Sequence, residues 1–244
     1  MTRAYADLHL RVNPKDQQVT QRLINRAAKF GYRLISIPFT SALREDEIAK
    51  LKASCSEAGL DFISRADFHP RTENELTHFL RKFRRRFEII CISCDNKEVA
   101  RQAAKDRRVD LICFSSLDYR KRFFDRAEAE LASSSLAALE VDVKPLLILE
   151  GPPRVRLLSS LRREVAIARE FGVPLVVSSG AGEERLIRMP RDMASLAYLF
   201  GLDEASALDS VSTNPAAIVK RNREKLSSRF IAPGINVIKE GKTP

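Results

Sequence analysis

The 244-residue chain carries 42 Lys and Arg against 32 Asp and Glu, a formal net charge of +10, with 44% hydrophobic residues and no tryptophan. This is the composition of a folded globular protein, and it excludes a disordered polyelectrolyte because the charges do not gather in long single-sign blocks. It also excludes a bilayer-spanning helix, since no apolar run reaches the roughly 18 to 20 residues one needs. The polar N-terminus lacks the apolar segment of a signal peptide. The chain therefore reads as cytoplasmic with no membrane contact, and its field attracts polyanions, RNA or DNA before an anionic lipid surface.

In chain order, residues 5–11 open as a strand that places Asp7, His9 and Arg11 on one face and Ala6, Leu8 and Leu10 on the other, because strand side chains alternate. Val19, Leu23, Ala27, Ile24 and Ala28 trace one face of a helix that Gly31 ends, and Ile48, Leu51, Cys55 and Ala58 do the same before Gly59. A helix is expected from Glu73 to Phe87, with Leu76, Phe79, Leu80, Phe83 and Phe87 as its apolar stripe. A strand follows over Phe87 to Ser93, and Asp95 with Glu98 reads as a capping box. Another strand begins near Asp110. For the sixth, the run from Leu136 to Val141 competes with Leu146 to Leu149, and the first is favoured. A strand near residue 174 is the last. Beyond Ser178 the pattern stays helical, and Asn214 with Pro215 reads as the N-cap and first position of a final helix.

Apolar runs near residues 5, 34, 61, 87, 110, 136 and 174, nearly all followed by an amphipathic helix, predict a parallel sheet wrapped by helices. The expected fold is α/β, a TIM-like (β/α) barrel of seven strands, as one domain over residues 1–230 with residues 231–244 as an extended arm or mobile tail.

Among Cys55, Cys91, Cys94 and Cys113, the C-x-x-C of Cys91 and Cys94 lies in a strand, where positions three apart face opposite sides. Core thiols are the favoured reading, and no metal is assigned. Asp7, His9 and Arg11 admit two readings, a residual phosphate or metal site at a barrel mouth or a structural cluster in which Arg11 neutralises Asp7. The second is favoured, because a carboxylate, an imidazole and a guanidinium satisfy one another without an ion.

Arg81, Lys82, Arg84, Arg85 and Arg86 crowd the end of the helix that begins at Glu73. They suit either the helix dipole or an RNA backbone. Arg107, Arg108, Arg120, Lys121, Arg122, Arg188, Arg191, Lys220, Arg221 and Arg223 extend the set of candidate RNA contacts without showing that they share a face. The turn from Ser178 to Gly182 lacks the spacing and lysine of a P-loop. No pairing of nucleophile and base is visible, and the paired carboxylates Glu45 with Glu47 and Glu183 with Glu184 read as solvated surface, so no catalytic residue is assigned.

Tyr5-Ala-Asp-Leu-His-Leu-Arg11, Arg108-Val-Asp110, Pro174-Leu-Val-Val-Ser-Ser-Gly-Ala181, Arg188-Met-Pro-Arg-Asp192 and Ser212-Thr-Asn-Pro215 through Arg221-Asn-Arg223 together resemble the ribonuclease P protein component 3 family. The resemblance implies the barrel of the polymerase and histidinol phosphatase (PHP) superfamily, whose metal sites open with D-L-H-x-H. Here Arg11 takes the second histidine position, and only His9, His69 and His78 are present. It further implies a subunit of the RNA-based endonuclease that removes the 5′ leader of precursor tRNA. In that family the RNA carries the chemistry and requires Mg2+. The protein binds and stabilises the RNA's catalytic domain, binds no cofactor itself, and meets precursor tRNA only indirectly. Its implied partners are the ribonuclease P RNA, ribonuclease P protein component 2 as a heterotetramer, and the other protein subunits. The alternatives are a metal-dependent phosphoesterase on the same fold, which the missing histidines oppose, and a sugar-phosphate isomerase, for which no acid-base set is found.

Overall fold

The computed structural model describes residues 3–12, 16–39, 45–114, 121–232 and 235–236. Seven parallel strands pair in chain order: β1 (Ala6–Asp7), β2 (Leu34–Phe39), β3 (Asp61–Phe68), β4 (Ile89–Ser93), β5 (Leu111–Cys113), β6 (Ala138–Asp142) and β7 (Leu175–Ser178). The sheet curls until its first and last strands meet. There Leu10 bridges Ala181, and the Arg11 N–H donates to the Ala181 carbonyl at 2.8 Å. The result is a nearly closed barrel of the TIM type.

Alternation along the strands sorts the core into two shells. Ala6, Leu8, Ile63, Cys91, Ala138 and Val176 belong to the inner cluster, whereas Ile35, Phe62, Ile90, Ile112, Leu139 and Val177 belong to the larger one shared with the helices. The sixth strand is the run from residue 138. Leu146 and its neighbours form the short helix α6 (Lys144–Ile148) instead, behind α1 (Gln17–Lys29), α2 (Glu45–Glu57), α3 (Glu73–Phe83), α4 (Lys97–Lys105) and α5 (Arg126–Ser135). The chain then continues through α7 (Gly151–Glu170), α8 (Pro190–Ala197), α9 (Glu204–Ser210) and α10 (Thr213–Leu226).

Three element ends differ from the sequence reading, each because a side chain is taken by a tertiary partner. Helix α3 stops at Phe83, not Phe87: Arg84 reaches Asp110 at 2.6 Å, the Arg86 N–H turns back to the Phe83 carbonyl, and β4 starts only at Ile89. The capping box of Asp95 and Glu98 does not form. Asp95 instead meets His69 at 3.1 Å, and Asn96 caps α4 by accepting from the Val99 N–H. A capping box does open α5, from Asp125 and Glu128. Asn214 and Pro215 are not the cap and first residue of α10, which begins at Thr213; the Asn214 amide donates to the Leu175 carbonyl at 2.8 Å and ties the helix to β7.

Helix α10 covers the N-terminal end of the barrel. Ile218 and Val219 join the inner apolar cluster, the Asn222 amide donates to the Glu88 carbonyl at 2.7 Å, and Arg223 pairs with Asp61 at 2.6 Å. Two short strands, β8 (Phe230–Ala232) and β9 (Ile235–Asn236), pair antiparallel after it, so part of the tail is a hairpin. The rest of the tail, 233–234 and 237–244, lies outside the described residues. No helix among the described residues is long and apolar enough to cross a membrane.

Candidate functional site

The barrel's two ends differ in charge. At the mouth, formed by the C-terminal ends of the strands, β1 stops at Asp7 and the expected alternation stops with it. Leu8 joins the inner core, while His9 turns into the mouth. Asp7 does not share that face. Its Oδ1 accepts the N–H groups of Ser179 at 3.0 Å and His9 at 3.2 Å, across the seam between β1 and β7. Burial pushes its pKa up. Arg11 does not neutralise Asp7; it adds a smaller contribution to the His9 and Arg65 charges, which hold the Asp142 carboxyl down against its burial.

His9 is 1% exposed, with Nδ1 2.8 Å from Asp142 and Nε2 3.1 Å from Asp67. Burial and the Arg65 charge oppose its protonation, but Asp142 and Asp67 outweigh them and raise its pKa to about 10. At neutral pH both ring N–H groups therefore donate to carboxylates. The Arg11 Nε, 3.0 Å from His9 Nε2, is a hydrogen-bond donor to that nitrogen only when the ring is neutral. A histidine locked as a cation supplies no general base.

The centre of the mouth is Arg65, a fully buried residue that the sequence reading passed over. It projects inward from β3. Its guanidinium donates to both oxygens of Glu140 at 2.6 Å, to Asp67 at 2.5 Å and to the Leu8 carbonyl at 2.6 Å. Glu140 also accepts from Ser178 at 2.7 Å. Burial penalises Asp67 as an anion, yet Arg65 and His9 hold it far below the usual carboxylate range. The signal was present in the sequence: Arg65 and Asp67 are two apart on one strand and share a face.

This arrangement bears on the metal centre that the PHP barrel implies. His9, Glu140 and Asp142 lie close enough to ligate one ion, but Arg65 takes both oxygens of Glu140 and the imidazolium takes Asp142. A ring protonated on both nitrogens has no lone pair to give, so His9 does not ligate and the residues do not fit that cluster. The segment after β7 runs on beside β1, where Ala181 bridges Leu10; a Cβ on Gly182 would come within 2.9 Å of the Arg11 carbonyl, and one on Gly180, at φ +62°, would come within 3.0 Å of the Asp142 carboxyl.

The opposite end, the base, is basic. Asp110, 1% exposed, accepts from Arg84 at 2.6 Å and from Arg221 at 3.3 Å. Lys225, one turn along α10 from Arg221, lies beside them. Burial, together with the charges of Arg221, Arg84 and Arg107, pushes its pKa down, while Asp110 pulls the other way. Two arginines thus share one buried carboxylate, with the charges of Lys225 and Arg107 close by. Among the described residues, neither Arg107 nor Lys225 forms an ion pair.

The structure brings Arg84 and Arg221 of the expected basic set together on Asp110, within range of the Arg107 charge, and adds Lys225, whose intermediate burial no periodicity announces. It disperses others. Arg122 is buried against Glu164 at 2.6 Å, Arg108 pairs with Asp106 at 2.6 Å, and Arg223 is held by Asp61 and Glu88. Arg188 donates to the Arg185 carbonyl at 2.5 Å. Arg81, Lys82, Arg85, Arg86, Lys121, Arg191 and Lys220 are exposed, and Arg120 lies outside the described residues.

Known proteins share this architecture. Ribonuclease P protein component 3 of Methanosarcina barkeri is 32% identical over 168 residues, 69% of this chain and 69% of that protein. The Methanosarcina mazei protein of the same name is 26% identical over 97% of this chain and 94% of its own length. A chain from the cryo-EM structure of archaeal ribonuclease P with mature tRNA superposes with a TM-score of 0.82 at 22% identity, covering 98% of this chain and all of that one, and so shares the fold. The family described as RNase P subunit p30 matches residues 4–227. That span takes in every strand of the barrel and the helix that closes its base, so the chain belongs to the RNase P subunit p30 family.

Proposed function

We propose that this chain is the subunit of ribonuclease P that holds RNA phosphates against the base of its barrel and leaves the chemistry to the RNA. One observation carries the reading: Arg84 and Arg221 share the single buried carboxylate of Asp110, and the charges of Lys225 and Arg107 beside them form no ion pair among the described residues. Crowded cations with too few counter-charges are stabilised by phosphate oxygens, and releasing the RNA's condensed counterions drives such binding. Phosphate contacts fix position and orientation rather than read sequence. That suits a subunit that stabilises the folded catalytic domain of the ribonuclease P RNA and lowers its Mg2+ requirement. The balanced mouth, where Arg65, Arg11 and protonated His9 face Asp67, Glu140 and Asp142, supplies no free base. Ribonuclease P protein component 2, as a heterotetramer with this chain, and the other protein subunits complete the proposed assembly, which meets precursor tRNA through the RNA.

The test is cleavage of precursor tRNA by the ribonuclease P RNA with component 2 at limiting Mg2+, with the wild-type chain, with an Arg107→Gln/Lys225→Gln variant, and without the chain. Stimulation by the wild type and its loss in the variant, regained on raising Mg2+, is the expected result. Equal stimulation by both proteins removes the base from the interface. Cleavage by the chain alone overturns the division of labour.

A further inference from the structure

Cys91 and Cys113 face each other inside the barrel, and nothing in the proposed function uses them. The cysteine three residues after Cys91, Cys94, belongs to the outer cluster, so the C-x-x-C spacing pairs nothing. The partner comes from the next strand. Cys91 Sγ lies 3.6 Å from Cys113 Sγ and 3.4 Å from Glu140 Oε2, with ligand atoms of all three residues within 4.8 Å of one another.

The strand register separates a disulfide from an ion. Cys91 stands opposite Leu111 and Cys113 opposite Ser93, so the two cysteines are diagonal neighbours. In a parallel pair, strands about 4.8 Å apart and a two-residue offset of about 6.6 Å put diagonal Cα atoms about 8 Å apart, beyond the roughly 4.4–6.8 Å between Cα atoms that a disulfide accepts. A tetrahedral ion spans the gap. Zn–S bonds of about 2.3 Å put two sulfurs about 3.8 Å apart, and a Zn–O bond of about 2.1 Å puts sulfur and oxygen about 3.6 Å apart. The observed 3.6 and 3.4 Å are close to those edges.

We infer that Cys91, Cys113 and Glu140 form a site for a thiophilic divalent cation, Zn2+ or Cd2+, distinct from the histidine-rich cluster of the PHP barrel. Two metal–sulfur bonds and one metal–oxygen bond form, both thiol protons leave to solvent, and a water fills the fourth position. Two positive charges enter as two protons depart, so the sum of charge beside Arg65 does not change. Glu140 Oε2 keeps one lone pair on the Arg65 guanidinium and offers the other to the ion. Cys113 is half-buried, and both cysteines line a cavity of about 200 Å3 that also touches Arg11 and Asp67, giving the ion access and room for its water.

The experiment uses the full chain, reduced and freed of metal, titrated with Cd2+ while the thiolate-to-cadmium ultraviolet band is read. Saturation at one ion per chain is expected, with displacement by Zn2+ and release of both protons. The band should be lost in Cys91→Ser and in Cys113→Ser and kept in Cys94→Ser. Circular dichroism establishes that each variant is folded, and because Cys113 is half-buried, Cys113→Ser decides the matter even where Cys91→Ser fails to fold. A band that survives Cys113→Ser, or no saturable band in the wild type, overturns the site.

Discussion

Arg65 does at the barrel mouth what a bound ion does in a metal centre: it is the cation around which the carboxylates are arranged. The substitution is one-sided, because removing the guanidinium leaves the fully buried Glu140 carboxylate, and the partly exposed Asp67, without the cation they share. Breaking a buried pair from one side costs about 3–5 kcal/mol. Arg65→Met should therefore lose about that much in urea unfolding, and a loss under about 1 kcal/mol would show the network to be dispensable. His9 gives the same cluster a pH signature. Its pKa rises from 6.5 to about 10 on folding, so its contribution is fully present below 6.5 and is lost as the pH climbs through 10. The Tm of the wild type should fall over that interval relative to His9→Gln, and parallel curves would sink the assignment. Asp7 stays off the face it was expected to share, bonded to the Ser179 and His9 N–H groups, and only the polar character of His9 and Arg11 at the mouth was legible. Their pairing was not, because it depends on Asp67, Asp142 and Arg65, which reach the mouth from other strands.

At the scale of elements, periodicity located all seven strands and assigned the sixth, since alternation and apolar runs are properties of local sequence. Ends were less legible. Asp95, Asn214 and Arg84 each carry a good local signal for a cap or a helix terminus, and each is diverted by a partner distant in sequence: His69, the Leu175 carbonyl and Asp110. One end carries stored strain. Leu136 closes α5 at φ +68°, ψ +23°, the left-handed conformation in which a side chain is crowded, and its own side chain is 57% exposed. A non-glycine residue there costs roughly 1–2 kcal/mol, against roughly 0.5–1 kcal/mol of extra chain entropy for glycine. Leu136→Gly should thus stabilise the protein by about 0.5–1 kcal/mol in chemical denaturation. The Arg221 hydrogen bond is to the Leu136 carbonyl and survives the change. A destabilised variant would mean that the strain at Leu136 is smaller than the entropy that glycine adds to the unfolded chain.

For the whole molecule, a net charge of +10 says only that polyanions are attracted, whereas the fold decides where. Ion pairs withdraw Arg122, Arg108 and Arg223 from the free surface charge, and the mouth balances its own charges. The base keeps an excess because α10 brings Arg221 and Lys225 to the end of α3 and to the turn before β5. No sequence spacing reveals that meeting, since Arg84, Arg107 and Lys225 come from three separate units of the barrel. Separation of the two ends makes the field testable. Removing one cation that neutralises an RNA phosphate should lower the slope of log affinity against log salt by about 0.7–0.9. Arg107→Gln and Lys225→Gln leave the two hydrogen bonds to Asp110 in place, and each should reduce that slope for ribonuclease P RNA. Arg11→Gln, at the other end of the barrel, removes the same charge and should leave the slope unchanged. If all three variants shift it equally, the RNA responds to total charge and the base is not a contact surface.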